Sequence, residues 1–545
     1  RPISLNLVFI FPFYLLNVRN RLEDLIKFVV RLKHKLQFYF RIIPPMARAR
    51  EHWGSKIGVV LAAAGNAVGL GNLLRFPSKV ALYGGGAFII PYLISLTLFG
   101  LPLMWVEWVA GRYGGKRGHG STVGILGLIT KNNFGRLLGI FGVAAPVLIV
   151  FYYIYIESWT LGYAFHSLIG QMPKPVPTSE TSEALKPFVD FLKQYTSPSL
   201  EAYIFFWITF LLNWYVLHRG IRRGIELVAK IGMPLLLLMG VALAIVIFTS
   251  KGPKPDWSAI KGLEYIWKPD FSRILEGKVW VEAAGQIFFT LSLGMGAIAV
   301  YASYVKEKED IALMGVATAS TNEFVEIILG SAIAIPAAFL FFGPASIPEL
   351  AGAGTFRLGF MSMPAVLNSL PLGFFWSFVW FMLLFIAAFT SSIALIQPLI
   401  TFLEDEVKLS HAKAVAISMI LVLIGAHLSM FVPGYIDELD FWAGSFILLF
   451  FGIVEIIFFI WLFGPDNFIR ELNEGSVLRI PKWVAYLTGT VSLAFLVIIL
   501  LVWTFQNLPS VISQTGLGVW LGRATIFLFL LILGYLTILS SREEG

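Results

Sequence analysis

Gly65-Asn-Ala-Val-Gly-Leu-Gly71-Asn72, followed by Leu-Leu-Arg75-Phe-Pro77, decides how this chain folds. It lies in the middle of an apolar stretch, residues 55–82. As one α-helix that stretch would run about 42 Å, longer than a hydrocarbon core of roughly 30 Å requires. Three glycines within seven residues make its centre the weakest helical part. Thr290-Leu-Ser292-Leu-Gly294-Met-Gly296 interrupts a second apolar stretch, 277–304, in the same way. Glycines alone would let helices pack closely. Paired interruptions holding polar residues point instead to two discontinuous membrane helices around a site at mid-depth. An unwound segment in lipid leaves amides and carbonyls without helical partners, so it must line a cavity or face protein. Its carbonyl end suits a cation or an ammonium group, and the N-terminus of the following half-helix suits a carboxylate.

The rest of the chain agrees with a membrane setting. Of 545 residues, 57% are hydrophobic and only 14% charged, and the mean hydropathy is +0.78. Soluble domains carry about a quarter charged residues. The apolar stretches are unbroken rather than alternating, which predicts helices, not a barrel. Twelve spans are expected: 55–82, 86–113, 135–169, 201–218, 225–249, 277–304, 311–342, 372–403, 412–432, 437–463, 483–504 and 519–540. Arg112, Lys116, Arg117, Lys131 and Arg136 follow the second span without an acid, and Arg219, Arg222 and Arg223 follow the fourth. By the positive-inside rule those loops and both termini are cytoplasmic, in a multi-pass protein of the cell membrane.

Residues 1–50 hold ten Lys/Arg and two Asp/Glu, so the whole net charge of +8 belongs to them. No nucleic-acid partner is expected from a charge so confined. Met46 precedes the first well-organised span, and residues 1–45 are expected to be an extension not native to the 46–541 domain. The alternative is an amphipathic, membrane-associated segment. The chain has no cysteine, and it shows no metal-ligand spacing, phosphate loop or nucleophile motif, so an enzyme is not expected.

The first quoted stretch closely resembles the first span of the neurotransmitter:sodium symporters, in particular their prokaryotic, leucine-transporter branch. So do Gly84-Gly-Gly-Ala-Phe88, Gly100-Leu-Pro-Leu-Met-Trp-Val-Glu107, Tyr152-Tyr-Ile-Tyr-Ile-Glu-Ser-Trp159, Gln286-Ile-Phe-Phe-Thr-Leu-Ser-Leu-Gly294 and Asp437-Glu-Leu-Asp-Phe-Trp442. The resemblance covers roughly residues 50 to 541. It implies an all-α, leucine-transporter-like fold of twelve transmembrane helices with helices 1 and 6 discontinuous. Two inverted five-helix repeats, 55–249 and 277–463, are followed by additional helices over 483–540. This family is the type example of that architecture.

By the same resemblance, two sodium sites are implied. The first uses the Ala67 carbonyl, Asn72, Thr290 and Asn322, with the substrate carboxylate. The second uses the carbonyls of Gly65, Val68 and Ala387 with the hydroxyls of Thr390 and Ser391. Local bonding of those hydroxyls back to their own helix is the plainer reading of Thr390 and Ser391. The substrate carboxylate is expected at the amides of Leu70 and Gly71 and the hydroxyl of Tyr153. Its ammonium group is expected at the carbonyls of Ala67, Phe289 and Thr290 and the hydroxyl of Ser292. Val68, Ile149, Tyr153, Phe289, Met295, Ser391 and Leu395 would line the side-chain pocket. That apolar lining implies a neutral amino acid, and the adaptable Met295 leaves room for large or aromatic ones.

Arg75 and Asp440 resemble the outer gate of the family, with Tyr153 and Phe289 below. Arg50 and Asp405, with Trp53 and Tyr304, resemble its inner gate. Interfacial charges snorkelling to water are the alternative for each pair. Glu107 is expected to brace the unwound part of the sixth span, or else to be a helix-packing carboxyl. Glu326 stands where chloride-dependent members carry a small hydroxyl residue, so no chloride requirement is expected. Neither sodium set contains a carboxylate, which argues against coupling to protons in place of sodium. The reading is thus a sodium-coupled symporter, in the bilayer as monomer or homodimer; a sodium-dependent sensor on the same scaffold is the rival.

Overall fold

The computed structural model describes residues 51–176, 180–197, 199–352 and 354–543, and no β-strand occurs among them. Ten of its helices are long and apolar enough to cross a membrane: Gly85–Gly115, Asn133–Leu168, Leu200–His218, Ile221–Thr249, Ile311–Phe342, Gly373–Asp405, His411–Phe431, Tyr435–Leu462, Trp483–Ile512 and Leu517–Arg542. Lys56–Ala67 and Gly71–Leu82 together make an eleventh apolar element, bent by 51° between them. The remaining expected span, 277–304, is built of two shorter helices, Gly277–Thr290 and Ala297–Ser303. Helix ends lie within a few residues of the expected ones, except that 483–504 runs on to Ile512 through Gln506 and Asn507. The expected extension, 1–45, falls outside the described residues.

Both interruptions sit where the sequence is richest in glycine. The first described helix, Lys56–Ala67, starts at a Ser55 cap, whose Oγ accepts from Gly58 N at 3.1 Å. It ends at Ala67, and Val68 turns extended (φ −76°, ψ 99°). In the second interruption Ser292, Gly294 and Gly296 all adopt positive φ, at 53°, 69° and 65°. For the serine this is an uncommon conformation, which surrounding structure must enforce.

The connections 170–200 and 250–276 are not loops throughout. Thr181–Thr196 and Ala259–Trp267 are amphipathic helices lying over the bundle. Ala184, Leu185, Phe188 and Tyr195 are buried in the first of them. Their helical spacing was readable, but proline and polar neighbours masked it.

Small residues set the tightest helix contacts. A Cβ on Gly111 would lie 1.9 Å from Ala299 O, and one on Gly115 2.1 Å from Ser303 O. Four residues apart, the two glycines share one helix face and let the backbone of Ala297–Ser303 seat directly on the Gly85–Gly115 helix. Similarly, a Cβ on Gly330 would lie 2.3 Å from Asn72 O. Gly111→Ala is expected to cost about 1–3 kcal/mol, the usual penalty for overfilling a packed contact. Gly277→Ala, which meets nothing within 4 Å, is the control; thermal denaturation of the purified protein measures both.

Candidate functional site

Asn72, on the turn after the first interruption, is 1% exposed and holds the site together. Its Oδ1 accepts from Gly69 N at 2.8 Å and so caps the restarted helix. Its Nδ2 lies 2.9 Å from Thr290 Oγ1, 2.8 Å from Asn322 Oδ1 and 2.9 Å from Glu326 Oε2. Thr290 ends the helix before the second interruption, while Asn322 and Glu326 belong to Ile311–Phe342. The Thr290 hydroxyl also donates to Glu326, and Gln286 Nε2 donates to Glu326 Oε1 at 2.7 Å. Three of the four residues expected at the first sodium site are therefore in mutual contact. Ala67, the fourth, is buried at the end of its helix. Glu326, expected beside this set, touches both Asn72 and Thr290. Glu326 follows Asn322 by one helical turn, and Gln286 precedes Thr290 by one, so the spacing carried that signal. All the oxygens here suit a hard cation.

A second group lies across the same break. Ser391 Oγ is 3.3 Å from Gly65 O, 3.2 Å from Asn66 O and 3.0 Å from Ala387 O. Thr390 Oγ1 donates to its own helix, to Ile386 O at 3.0 Å and Ala387 O at 3.2 Å. A Cβ on Gly65 would lie 3.1 Å from Thr390 Cβ, so the two helices meet here with no spacer. Gly65, Ala387, Thr390 and Ser391 are thus brought together, with Val68 buried beside them. Asn66 had no assigned role, yet its buried carboxamide has no partner among the described residues. Its carbonyl accepts from Ser391 and, at 3.1 Å, from Ser292 Oγ.

Between the two groups lies the expected substrate position. Built from Gly69, a Cβ would sit 3.4 Å from both Tyr153 Oη and Ser391 Oγ. The Leu70 amide also faces the Tyr153 hydroxyl. From Gly71, a Cβ would lie 2.8 Å from the Phe289 ring, so only glycine lets that ring close on the backbone. Ile149 is one turn before Tyr153 and Leu395 one turn after Ser391, which puts each on the same face as its partner. Ile149, Met295 and Leu395 are buried, whereas Tyr153 and Phe289 are partly exposed.

Glu107 Oε1 accepts from Gly294 N, within the second interruption, at 2.8 Å. The sequence did not single out the buried Glu157, which accepts from Asn213 Nδ2 at 3.0 Å, or the partly buried Glu323, which accepts from Tyr92 Oη at 2.6 Å.

At one end of the site Arg75 and Asp440 do not pair. The Arg75 guanidinium stacks 4.6 Å from the Phe289 ring centre, and Asp440 Oδ1 accepts from Tyr152 Oη at 2.6 Å. Sequence places both residues at a mouth but says nothing about its degree of closure. The other end is tied by hydrogen bonds between separate segments. Trp53 Nε1 donates to Tyr301 O at 2.9 Å, Trp53 N to Tyr304 O at 3.4 Å, and Tyr304 Oη lies 3.1 Å from Thr401 Oγ1. Asp405, one turn beyond Thr401, accepts from Gly120 N at 2.6 Å. Arg50, its expected partner, lies outside the described residues.

The sequence profile of the sodium:neurotransmitter symporter family matches residues 50–184 and 199–540. The chain belongs to that family. An uncharacterised sodium-dependent transporter of Methanocaldococcus jannaschii is 30% identical over 81% of this chain and 88% of its own length. The sodium- and chloride-dependent taurine transporter of Bos taurus is 28% identical over 81% of this chain and 76% of that protein. The crystal structure of MhsT in complex with L-phenylalanine superposes with a TM-score of 0.70 at 27% identity, covering 83% of this chain and 99% of that one. This chain is therefore a multi-pass membrane protein of a sodium-dependent transporter family, not of an enzyme family.

Glu107→Ala leaves the Gly294 amide without its acceptor and is expected to cost about 1–3 kcal/mol. Glu107→Gln keeps a carbonyl oxygen there and is expected to recover most of the loss. Thermal denaturation of the two variants makes the comparison.

Proposed function

We propose that this protein carries a neutral, apolar amino acid into the cell together with sodium, by alternating access. The observation that carries the reading is the meeting of Asn72, Thr290, Asn322 and Glu326 where two broken helices approach each other. The amino acid named in the MhsT complex is apolar, which supports a substrate of that kind. In this reading the bundle makes twelve crossings, with inverted repeats over 55–249 and 277–463 and both termini in the cytoplasm.

One sodium ion takes the oxygens of Ala67, Asn72, Thr290 and Asn322. The other takes those of Gly65, Val68, Ala387, Thr390 and Ser391. The amides of Leu70 and Gly71 and the Tyr153 hydroxyl receive the substrate carboxylate, and the carbonyls beside Ser292 receive its ammonium group. Arg75 and Asp440 close over Phe289 and Tyr153 once both are bound. Helices 1, 2, 6 and 7 then rock against the rest and free Trp53 from Tyr301. Each charge carried inward through 100 mV releases about 2.3 kcal/mol. Two sodium ions give about 4.6 kcal/mol, more than a thousandfold accumulation.

Reconstituted protein is expected to accumulate an apolar amino acid only under an inward sodium gradient. Binding without uptake would indicate a sensor instead. Asn72→Ala and Thr390→Val are each expected to weaken apparent sodium affinity about tenfold, or about 1.4 kcal/mol. An unchanged sodium response in both would reject the two sites.

Glu326 supplies fixed negative charge beside the first sodium position, so transport proceeds without chloride. Uptake should be unchanged when gluconate replaces chloride. Glu326→Ser removes that charge and should make uptake depend on chloride, measured in the same exchange.

A further inference from the structure

A hollow of about 490 Å³ opens beside the tied Trp53 end, lined by Glu51, His52, Trp53, Gly54, Arg222, Arg223 and Lys306. Three separate elements meet there: the segment leading into the first helix, the turn opening Ile221–Thr249, and the residues after Ala297–Ser303.

The charges in this hollow are unbalanced. Arg222, Arg223 and Lys306 are exposed, and their side chains have no hydrogen bond or ion pair among the described residues. The nearby acids are already engaged. Glu51 accepts from Ile221 N at 3.0 Å and Arg222 N at 3.2 Å. Glu226 accepts from Gly54 N at 2.6 Å and Ser55 Oγ at 2.9 Å, and it pairs with Lys230 at 2.6 Å. Among the other basic residues that follow the second and fourth spans, Arg112 and Lys116 pair with Glu471 and Arg136 with Glu406, whereas Arg117 and Arg219 lie over the rings of Tyr113 and Tyr215. His52 Nδ1 is 3.2 Å from Tyr304 O.

We propose that this hollow is a binding site for a phosphate-bearing anion. Two guanidinium forks and an ammonium group match phosphate oxygens, which arginine takes two at a time. The volume exceeds what a halide needs and accommodates a diphosphate or a phosphodiester headgroup. The site lies where helices end, and basic clusters just beyond membrane helices are where anionic headgroups bind.

Occupancy has a consequence for the tied end. An anion held by Arg222, Arg223 and Lys306 stitches the start of the fifth span to the end of the sixth, across the loop that carries Trp53. It binds the tied arrangement better than one in which these elements separate, and so favours the tied state.

Hydrogen exchange of the full chain in lipid nanodiscs tests this without sodium or substrate, so the outcome is independent of the transport reading. Three conditions are compared at constant ionic strength: phosphatidylcholine alone, phosphatidylcholine with phosphatidylglycerol, and phosphatidylcholine with inorganic pyrophosphate. Backbone exchange in 51–54 and 220–225 is expected to slow about fivefold, at the lower end of ordinary coupling between sites. Slowing with phosphatidylglycerol identifies a lipid headgroup, and slowing with pyrophosphate a soluble phosphate. The triple variant Arg222→Gln, Arg223→Gln, Lys306→Gln should lose the effect, and Lys306→Arg alone should keep it. No slowing in either condition, or equal slowing in the triple variant, overturns the proposal.

Discussion

One primary amide connects three helices at the centre of this protein. Asn72 has two hydrogens on Nδ2 but three acceptors within 2.9 Å, on Thr290, Asn322 and Glu326. They cannot all be fully satisfied at once. In a low-dielectric interior such shared donation leaves oxygen charge available. The arrangement is stable enough to cap Gly69 and short enough of hydrogens to favour a positive guest. Both interruptions converge on it, so the fold's weakest helical segments and its densest polar network are in the same place.

Much of this was legible from residue order. Hydropathy located the long apolar helices, and the two glycine-rich stretches lie where the helices Lys56–Ala67 and Gly277–Thr290 end. The family resemblance named Asn72, Thr290 and Asn322 before their contacts were known. Helix periodicity contained more than was taken from it. Asn322 and Glu326 are one turn apart, as are Gln286 and Thr290, which is why Glu326 points at the cage rather than standing beside it. The helices laid across the bundle, Thr181–Thr196 and Ala259–Trp267, were hidden by prolines and by polar composition. Closure could not be read at all. Residue order placed Arg75 and Asp440 at one end of the site but did not carry the separation between them.

The two ends of the passage differ in chemistry as well as closure. Tyr153, Phe289 and Arg75 remain partly exposed around the break. Trp53, Tyr301 and Tyr304 are buried, with Trp53 joined through its indole and backbone to main-chain carbonyls. Aromatic side chains at the first end can part by rotation. The second end opens only if hydrogen bonds between separate segments break together.

Gly111 and Gly115 determine what must move with that opening. Their missing side chains bring Ala299 and Ser303 so near that the short helix has no room to slide along its neighbour. Backbone pressed on backbone transmits displacement without slack. In the proposed cycle the Gly85–Gly115 helix moves as one body with Ala297–Ser303, and the positive-φ residues between Thr290 and Ala297 take up the flexing.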